Sequence, residues 1–534
     1  MHRHLFIDGW RHAVALPIVR GIKAGVVALA LLFALSISAS AAADVAALRQ
    51  KAEQGDAAAQ YGLCVAYFKG KGLAQDDRQA FEWCHKAAKQ GHARAQARVG
   101  SFLSQGKGVH ASQTEAVYWF RKAAEQGHAA AQTALGIYYE DGIGIAQDKA
   151  RAAYWYRKAA EQGFAVAQLC LGQLYYSGEG LEQDKQKAVY WFQKAAKQGH
   201  ARAQFRLGAF LSLGKGARSS QTEAVYWFQK AAEQGYPAGQ SALGTCYKDG
   251  IGIAQDKARA AYWYQKAVEQ GWAPAEYHLG ALYYSGEGLE QDKQKAFYWY
   301  QKAAEQGHDL AQYNLGVMYH NGEAVPKDDV RALEWFQKAA GQGLAEAEYT
   351  LGMMYYEAQG AARDYAQAAQ WLHKAAEQGL AESQFNMGMM YCYGRGVDKD
   401  YAQAAQWWRK AAEQGLAPAQ RGLGCLYGLG QGVERDYGQA ASWWGKAAGQ
   451  GEAKAQYGLG MLYALGKGVA QDSRLAAEWL GRSAAQGDED AAKVLQLLQQ
   501  EGIEALVQKY NTVTVTLFEG DIIFGKGIRI ITPK

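Results

Sequence analysis

The sequence predicts an all-α solenoid of about twelve 36-residue helix-turn-helix repeats with a short C-terminal β segment. Three observations predict it. From Gly55 and Gly91 to Gly487, every thirty-sixth residue is glycine, each preceded by Gln. A Trp runs in step from Trp83 and Trp119 to Trp479, without one insertion. Between these markers the apolar residues fall at helical spacing in two segments parted by a glycine-rich turn. Repetition at this period marks stacked supersecondary units and overrides the three or four domains that 534 residues would otherwise suggest.

Residues 271–307 show one unit. Its first helix is expected from about Pro274 to Ser285, with Leu279 and Tyr283 four apart on a core-facing stripe. Gly280 costs about 1 kcal/mol in a helix interior, and the missing side chain lets a neighbouring helix come close. Gly286 and Gly288 break the helix and supply positive φ for the turn. The second helix is expected from about Asp292 to Glu305, with Ala296, Trp299 and Ala303 on one face and Gln306-Gly307 at its end. Neither helix buries its stripe alone; stacked repeats do. On this reading the Trp is the main buried group, worth on the order of 4–6 kcal/mol per repeat before entropy is subtracted. Residues 91–198 closely match 199–306, so three repeats were copied together.

The ends fit a capped array. Residues 1–43 read as an export signal. A basic leader ends at Lys23, an apolar run spans Ala24 to about Ile37, and small residues follow, with cleavage expected after Ala41 or Ala43. The alternative is an uncleaved inner-membrane anchor over 24–43. Residues 44–55 form an N-terminal capping helix, 56–487 the solenoid and 488–510 a C-terminal capping helix. In 511–534 the period changes: Val513, Val515 and Leu517 alternate with Thr512, Thr514 and Thr516, as in a strand.

Net charge is +5, and outside the first 43 residues 53 basic and 51 acidic side chains leave +2. That balance leaves no nucleic-acid footprint and no polybasic membrane patch. Of six cysteines, Cys64 and Cys84 alone share a repeat, on its two helices, and are the candidate disulfide in an oxidising compartment. The others read as small buried residues.

The pattern AxAQxxLGxxY, then GxG, then KAxxWxxKAAEQG, resembles the Sel-one-like repeat family over about residues 50–487. The family is related to tetratricopeptide repeats, whose period is 34; here the extra length falls at the glycine turn, as in Gly178-Glu179-Gly180. The resemblance implies a right-handed α/α superhelix serving as an adaptor or scaffold, often periplasmic or secreted in bacteria. Some exported relatives carry a disulfide in every repeat; this chain does not. Departures from the pattern include Cys64 for the Gly after Leu63, and Ala324 and Ala358 for turn glycines.

No catalytic constellation emerges. The GxG pairs, such as Gly106-Lys107-Gly108, lack the GK[ST] continuation of a phosphate loop and recur as turns. His92, His128, His200 and His308 each follow a repeat Gly, too far apart to converge on a metal, and read as helix-cap or surface residues. No cofactor and no metal are expected. A binding face is the better candidate. In tetratricopeptide-like folds the side of the first helix opposite the core stripe faces a concave groove. Here that side carries Tyr277, Tyr284, Tyr313, His320, Tyr349, Met353, Tyr356, Phe385 and Met389, aromatic and Met-rich where a solvated face should be polar. Tight stacking would bury the same side chains between repeats, and the sequence leaves groove and packing open. The tail could add a strand to a partner's sheet or fold back as a plug on the last repeat. The sequence thus points to a non-catalytic periplasmic or secreted scaffold that binds a protein or peptide. The alternatives are an envelope hydrolase or cell-wall-ligand-binding protein, and a secreted host-interaction factor.

Overall fold

The computed structural model describes residues 41–216, 219–510 and 531. Among them are twenty-six helices and no strand. The export signal expected over 1–43 lies outside the described residues except at its end, where the first helix, Ala41–Glu53, begins three residues before the expected cap. The β segment expected over 511–534 also lies outside them, save Ile531, which has no regular secondary structure. The chain divides between Gln291 and Asp292 into two compact units, each built of the same paired helices.

The helices start and stop as their sequences dictate. Each second helix is preceded by Asp or Ser, whose side chain accepts a backbone N–H of the first turn; Asp148 takes Arg151 N at 2.9 Å. First helices begin after the repeat Gly, where His92, His128, His200 and His308 cap through Nδ1 and Glu452 caps through a carboxylate oxygen. They end at a left-handed residue, such as Gly286 at φ 75°. Ala358 takes that conformation at φ 66°, and Ala324 stands at a second turn glycine's place with φ 64°.

The core differs from expectation in one respect that recurs along the array. The marker Trp is mostly half-buried, as at Trp119, Trp155 and Trp299. The residue after it fills the core: Phe120, Tyr156, Phe192, Phe228 and Tyr264 in the first unit, and Tyr300, Phe336, Leu372, Trp408 and Trp444 in the second. The stripe is therefore Ala296, Tyr300 and Ala303 rather than Ala296, Trp299 and Ala303. Both sets satisfy helical spacing, so periodicity alone could not separate them. In the first helices Leu279 is buried but Tyr283 is only half-buried, and Tyr277, Ala281 and Leu282 are buried with Leu279. These helices are apolar around most of their circumference, as buried helices are.

The interior glycine of the first helix faces the core residue that follows the Trp of its own repeat, in most repeats an aromatic. A Cβ on Gly136 would lie 2.5 Å from the Tyr156 ring, and one on Gly388 would lie 2.3 Å from Trp408. Successive repeats are joined by pairs of amides, one exposed and one buried. In the first unit Gln126 donates to Gln96 at 2.7 Å, and Gln96 donates to Ala88 O at 3.1 Å. In the second, Gln414 donates to Gln384 and Gln384 to Ala376 O in the same way. The C-terminal capping helix, Glu489–Lys509, is not continuous: Gly502 at φ 84° and ψ −179° breaks it.

Candidate functional site

The nine sequence-predicted groove residues occupy the first helices, as spacing required. In the first unit Tyr277 is buried and Tyr284 half-buried on helix Ala273–Ser285. The other seven lie in the second unit. Helix Asp309–Asn321 carries Tyr313, 5% exposed, and the half-buried His320. Helix Ala345–Glu357 carries Met353 and Tyr356, both buried, and the half-buried Tyr349; Phe385 and Met389 are buried on helix Ala381–Tyr393. Burial pushes the Tyr313 hydroxyl up to about 12, so it stays protonated, and its ring packs 5.3 Å from Phe336. His320 Nδ1 lies 2.7 Å from Asp329 Oδ1, and Arg395 donates to the Tyr356 hydroxyl. The Phe385 ring lies over Trp408, whose indole N–H donates to Phe385 O at 3.0 Å.

The residue in this region that meets a distant part of the chain was not among the nine. Asn314, fully buried between Tyr313 and Leu315, donates from Nδ2 to Ile531 O at 2.7 Å and accepts Ile531 N–H on Oδ1 at 2.7 Å. Ile531 packs against the cluster that holds Tyr313, Val317, Leu351 and Met354. A polar residue in the middle of an apolar helix was the available signal. Asn314 stands seventh after the repeat Gly, where other repeats have Arg98, Arg206, Thr350 and Asn386, all buried. Burial holds the Arg206 guanidinium down at about 10.

A second surface also escaped the sequence reading. Tyr118, Tyr154, Tyr190, Tyr226 and Tyr262 recur every 36 residues on the second helices of the first unit and remain 50–55% exposed. Each meets the following Trp edge-on, and lysines one turn on lie 5.5–5.8 Å from four of the five rings.

Cys64 and Cys84 are joined by a disulfide with their Cα atoms 5.2 Å apart. Burial pushes the Cys170, Cys246, Cys392 and Cys425 thiols up to about 12, which keeps them protonated and unreactive. Among the described residues no group of three or more His, Cys, Asp or Glu side chains could hold a metal ion. No described helix is long and apolar enough to cross a membrane. An open recess of about 780 Å³ in the second unit is lined by charged side chains including Arg409, Glu413, Glu434 and Arg435.

Twelve consecutive segments between residues 57 and 488 match the Sel1 repeat. A protective antigen present in uropathogenic Escherichia coli strains, with an SLR fold, is similar at 34% identity and a TM-score of 0.60, over 89% of this chain and 99% of that one. A Sel1 repeat protein from Oxalobacter formigenes is similar at 36% identity and a TM-score of 0.45, over 57% of this chain and 89% of that one. No curated protein matches. Sel1 repeats are in general protein-interaction scaffolds, and their solenoid is typically non-catalytic. With its repeats matched from end to end of the array, this chain belongs to the Sel1 repeat family.

Proposed function

We propose that this protein is a non-catalytic scaffold of the periplasm or the cell exterior. Its first helices in the second unit receive an extended segment of a partner protein. The observation that supports this reading is the Asn314–Ile531 pairing. There a non-helical residue lies on that face and is held by its main chain as well as its side chain. A face that bonds the main-chain N–H and C=O of one residue can accept those of another, whatever the sequence. Of the nine residues of the sequence reading, Tyr313, His320, Tyr349, Met353, Tyr356, Phe385 and Met389 share the second unit with that site and belong to this proposal. Export through residues 1–43, with cleavage after Ala41 or Ala43, would place the scaffold outside the cytoplasm.

The test is a photo-crosslinker in place of Tyr349, introduced into the full chain in envelope extract. A specific protein adduct that disappears in an Asn314→Leu background, with helicity intact by circular dichroism, is the expected result. Adducts that are absent, or that persist with Asn314→Leu, would remove the reading.

A second reading, a cell-wall-ligand-binding protein, is favoured by the exposed tyrosines of the first unit. Exposed aromatic surface of this regularity suits stacking on a ligand. Co-sedimentation with purified cell-wall sacculi, lost when Tyr154, Tyr190 and Tyr226 are changed to Ser, would support it; equal sedimentation of both chains would not.

A further inference from the structure

We propose that the C-terminus of this chain is a resident ligand of its own first-helix face. The ligand class of that face is then an extended segment with a β-branched apolar residue, gripped through its backbone by Asn314. The inference rests on the reading that this face holds a partner's segment, and it adds what that segment looks like and what stands in its way.

Asn314 and Ile531 lie 217 residues apart, yet both amide atoms of the one meet both backbone polar atoms of the other, each at 2.7 Å. This is the pairing a neighbouring strand would offer, supplied by a single side chain. It reads the main chain of the ligand and ignores its sequence. Asn314 is 0% exposed, so the ligand backbone takes the place of water as the partner of its amide. The ligand side chain is read separately. Ile531 packs on the cluster of Tyr313, Val317, Leu351 and Met354, which favours a branched aliphatic group. The C-terminal sequence is rich in such groups, with Ile522, Ile523, Ile528 and Ile530 before Ile531.

A second rung stands two repeats on. Asn386 occupies the same place in its helix, seventh after the repeat Gly, and is also 0% exposed. Its Nδ2 contacts Met353 Sδ at 3.4 Å, while its Oδ1 accepts no hydrogen bond among the described residues. A buried amide oxygen without a donor is suited to the N–H of a bound backbone. The buried Thr350 occupies the same place in the repeat between. The second unit therefore presents one filled rung and one with an open acceptor. A tethered C-terminus holds the first at high effective concentration, and a partner must displace it.

The experiment measures binding of a fluorescent peptide, EGDIIFGKGIRIITPK (residues 519–534), to the full chain by anisotropy. The chains compared are unaltered, Ile531→Asp, and Ile531→Asp with Asn314→Leu. Ile531→Asp weakens the chain's own tail and should bind the peptide at least about tenfold more tightly than the unaltered chain. Adding Asn314→Leu should return the affinity at least about tenfold toward weak binding. Equal affinity for all three chains overturns the proposal. Should Asn314→Leu disturb folding, a peptide N-methylated at the isoleucine matching Ile531 tests the clamp on an intact protein. It lacks the donor to Asn314 Oδ1 and should bind at least about tenfold more weakly; equal binding of the two peptides overturns the clamp. Peptide binding as stated, without any adduct at position 349 in extract, keeps the self-ligand and removes the scaffold reading. An adduct formed equally by the unaltered and Ile531→Asp chains, without peptide binding, does the reverse.

Discussion

Gln378 donates to a carboxylate oxygen of Glu348 at 2.8 Å, at a rung where Gln126–Gln96 and Gln414–Gln384 are each two glutamines. Glu348 is 4% exposed, and burial raises its carboxyl above the usual range, opposed by the Gln378 hydrogen bond and by Lys374. A carboxyl raised on folding binds its proton more readily in the folded state. Its penalty is therefore absent below the unfolded value of about 4.5 and grows as pH rises through the folded one. Glu348→Gln should raise the stability of the second unit by about 1 kcal/mol at neutral pH. The gain should shrink as pH falls toward 4.5. Heat-unfolding midpoints of both chains at pH 7.5 and pH 5 check this; an unchanged gap would mean that burial of the charge is not its source.

The histidine caps should produce the opposite pH response. Nδ1 of His128 accepts Ala131 N–H at 3.2 Å, and burial lowers its pKa, with Arg94 adding to the effect. His92 and His200 are capped and shifted alike. Protonating Nδ1 removes the acceptor. Stability from these caps is complete above the unfolded value of about 6.5 and is lost as pH falls through the depressed folded values. Replacing His92, His128 and His200 with Asn should keep the caps and flatten the stability profile between neutrality and pH 5. Parallel profiles would show that the caps do not titrate.

Two glycines that look alike in sequence should respond with opposite sign. Gly388→Ala places a methyl 2.3 Å from the Trp408 indole and should cost about 1–3 kcal/mol. Gly445, also within a helix, has nothing within 4 Å of its Cβ position, and Gly445→Ala should gain about 0.5–1 kcal/mol. Urea midpoints of the two variants decide it.

Ala358 ends its helix at φ 66°, where other first helices have glycine. A left-handed conformation costs a residue with a side chain about 1–2 kcal/mol. Ala358→Gly should recover most of that, read as slower hydrogen exchange over residues 345–364. Exchange that is unchanged or faster would show that the turn tolerates the methyl group without strain.

The repeat, its period, its turns and its helix pairing were legible because each repeat writes the same signals twelve times. What escaped was whatever depends on a rotation of one residue or on a partner far away in sequence. Trp299 and Tyr300 fit the same periodic stripe, and only packing against Gly in the first helix decides that the second of each such pair goes inside. The buried faces of Tyr277 and Phe385 could not be told from a groove, because an apolar helix surface satisfies both. Asn314 could have been noticed as polar in an apolar helix, but its partner lies 217 residues away and obeys no period. Gly502 read as an ordinary helical residue, and only its φ of 84° exposes the break.

The exposed tyrosines of the first unit carry a consequence of their own. Tyr118, Tyr154, Tyr190, Tyr226 and Tyr262 are equivalent in sequence spacing, in exposure and in their edge-on contact with the following Trp. A ligand with a single contact point could not tell one from the next and would distribute among them. A ligand with its own matching periodicity would lock into a few registers. On the cell-wall-ligand reading this edge would be a ruler with identical graduations: it would measure the length and spacing of a ligand but assign no address to any one mark.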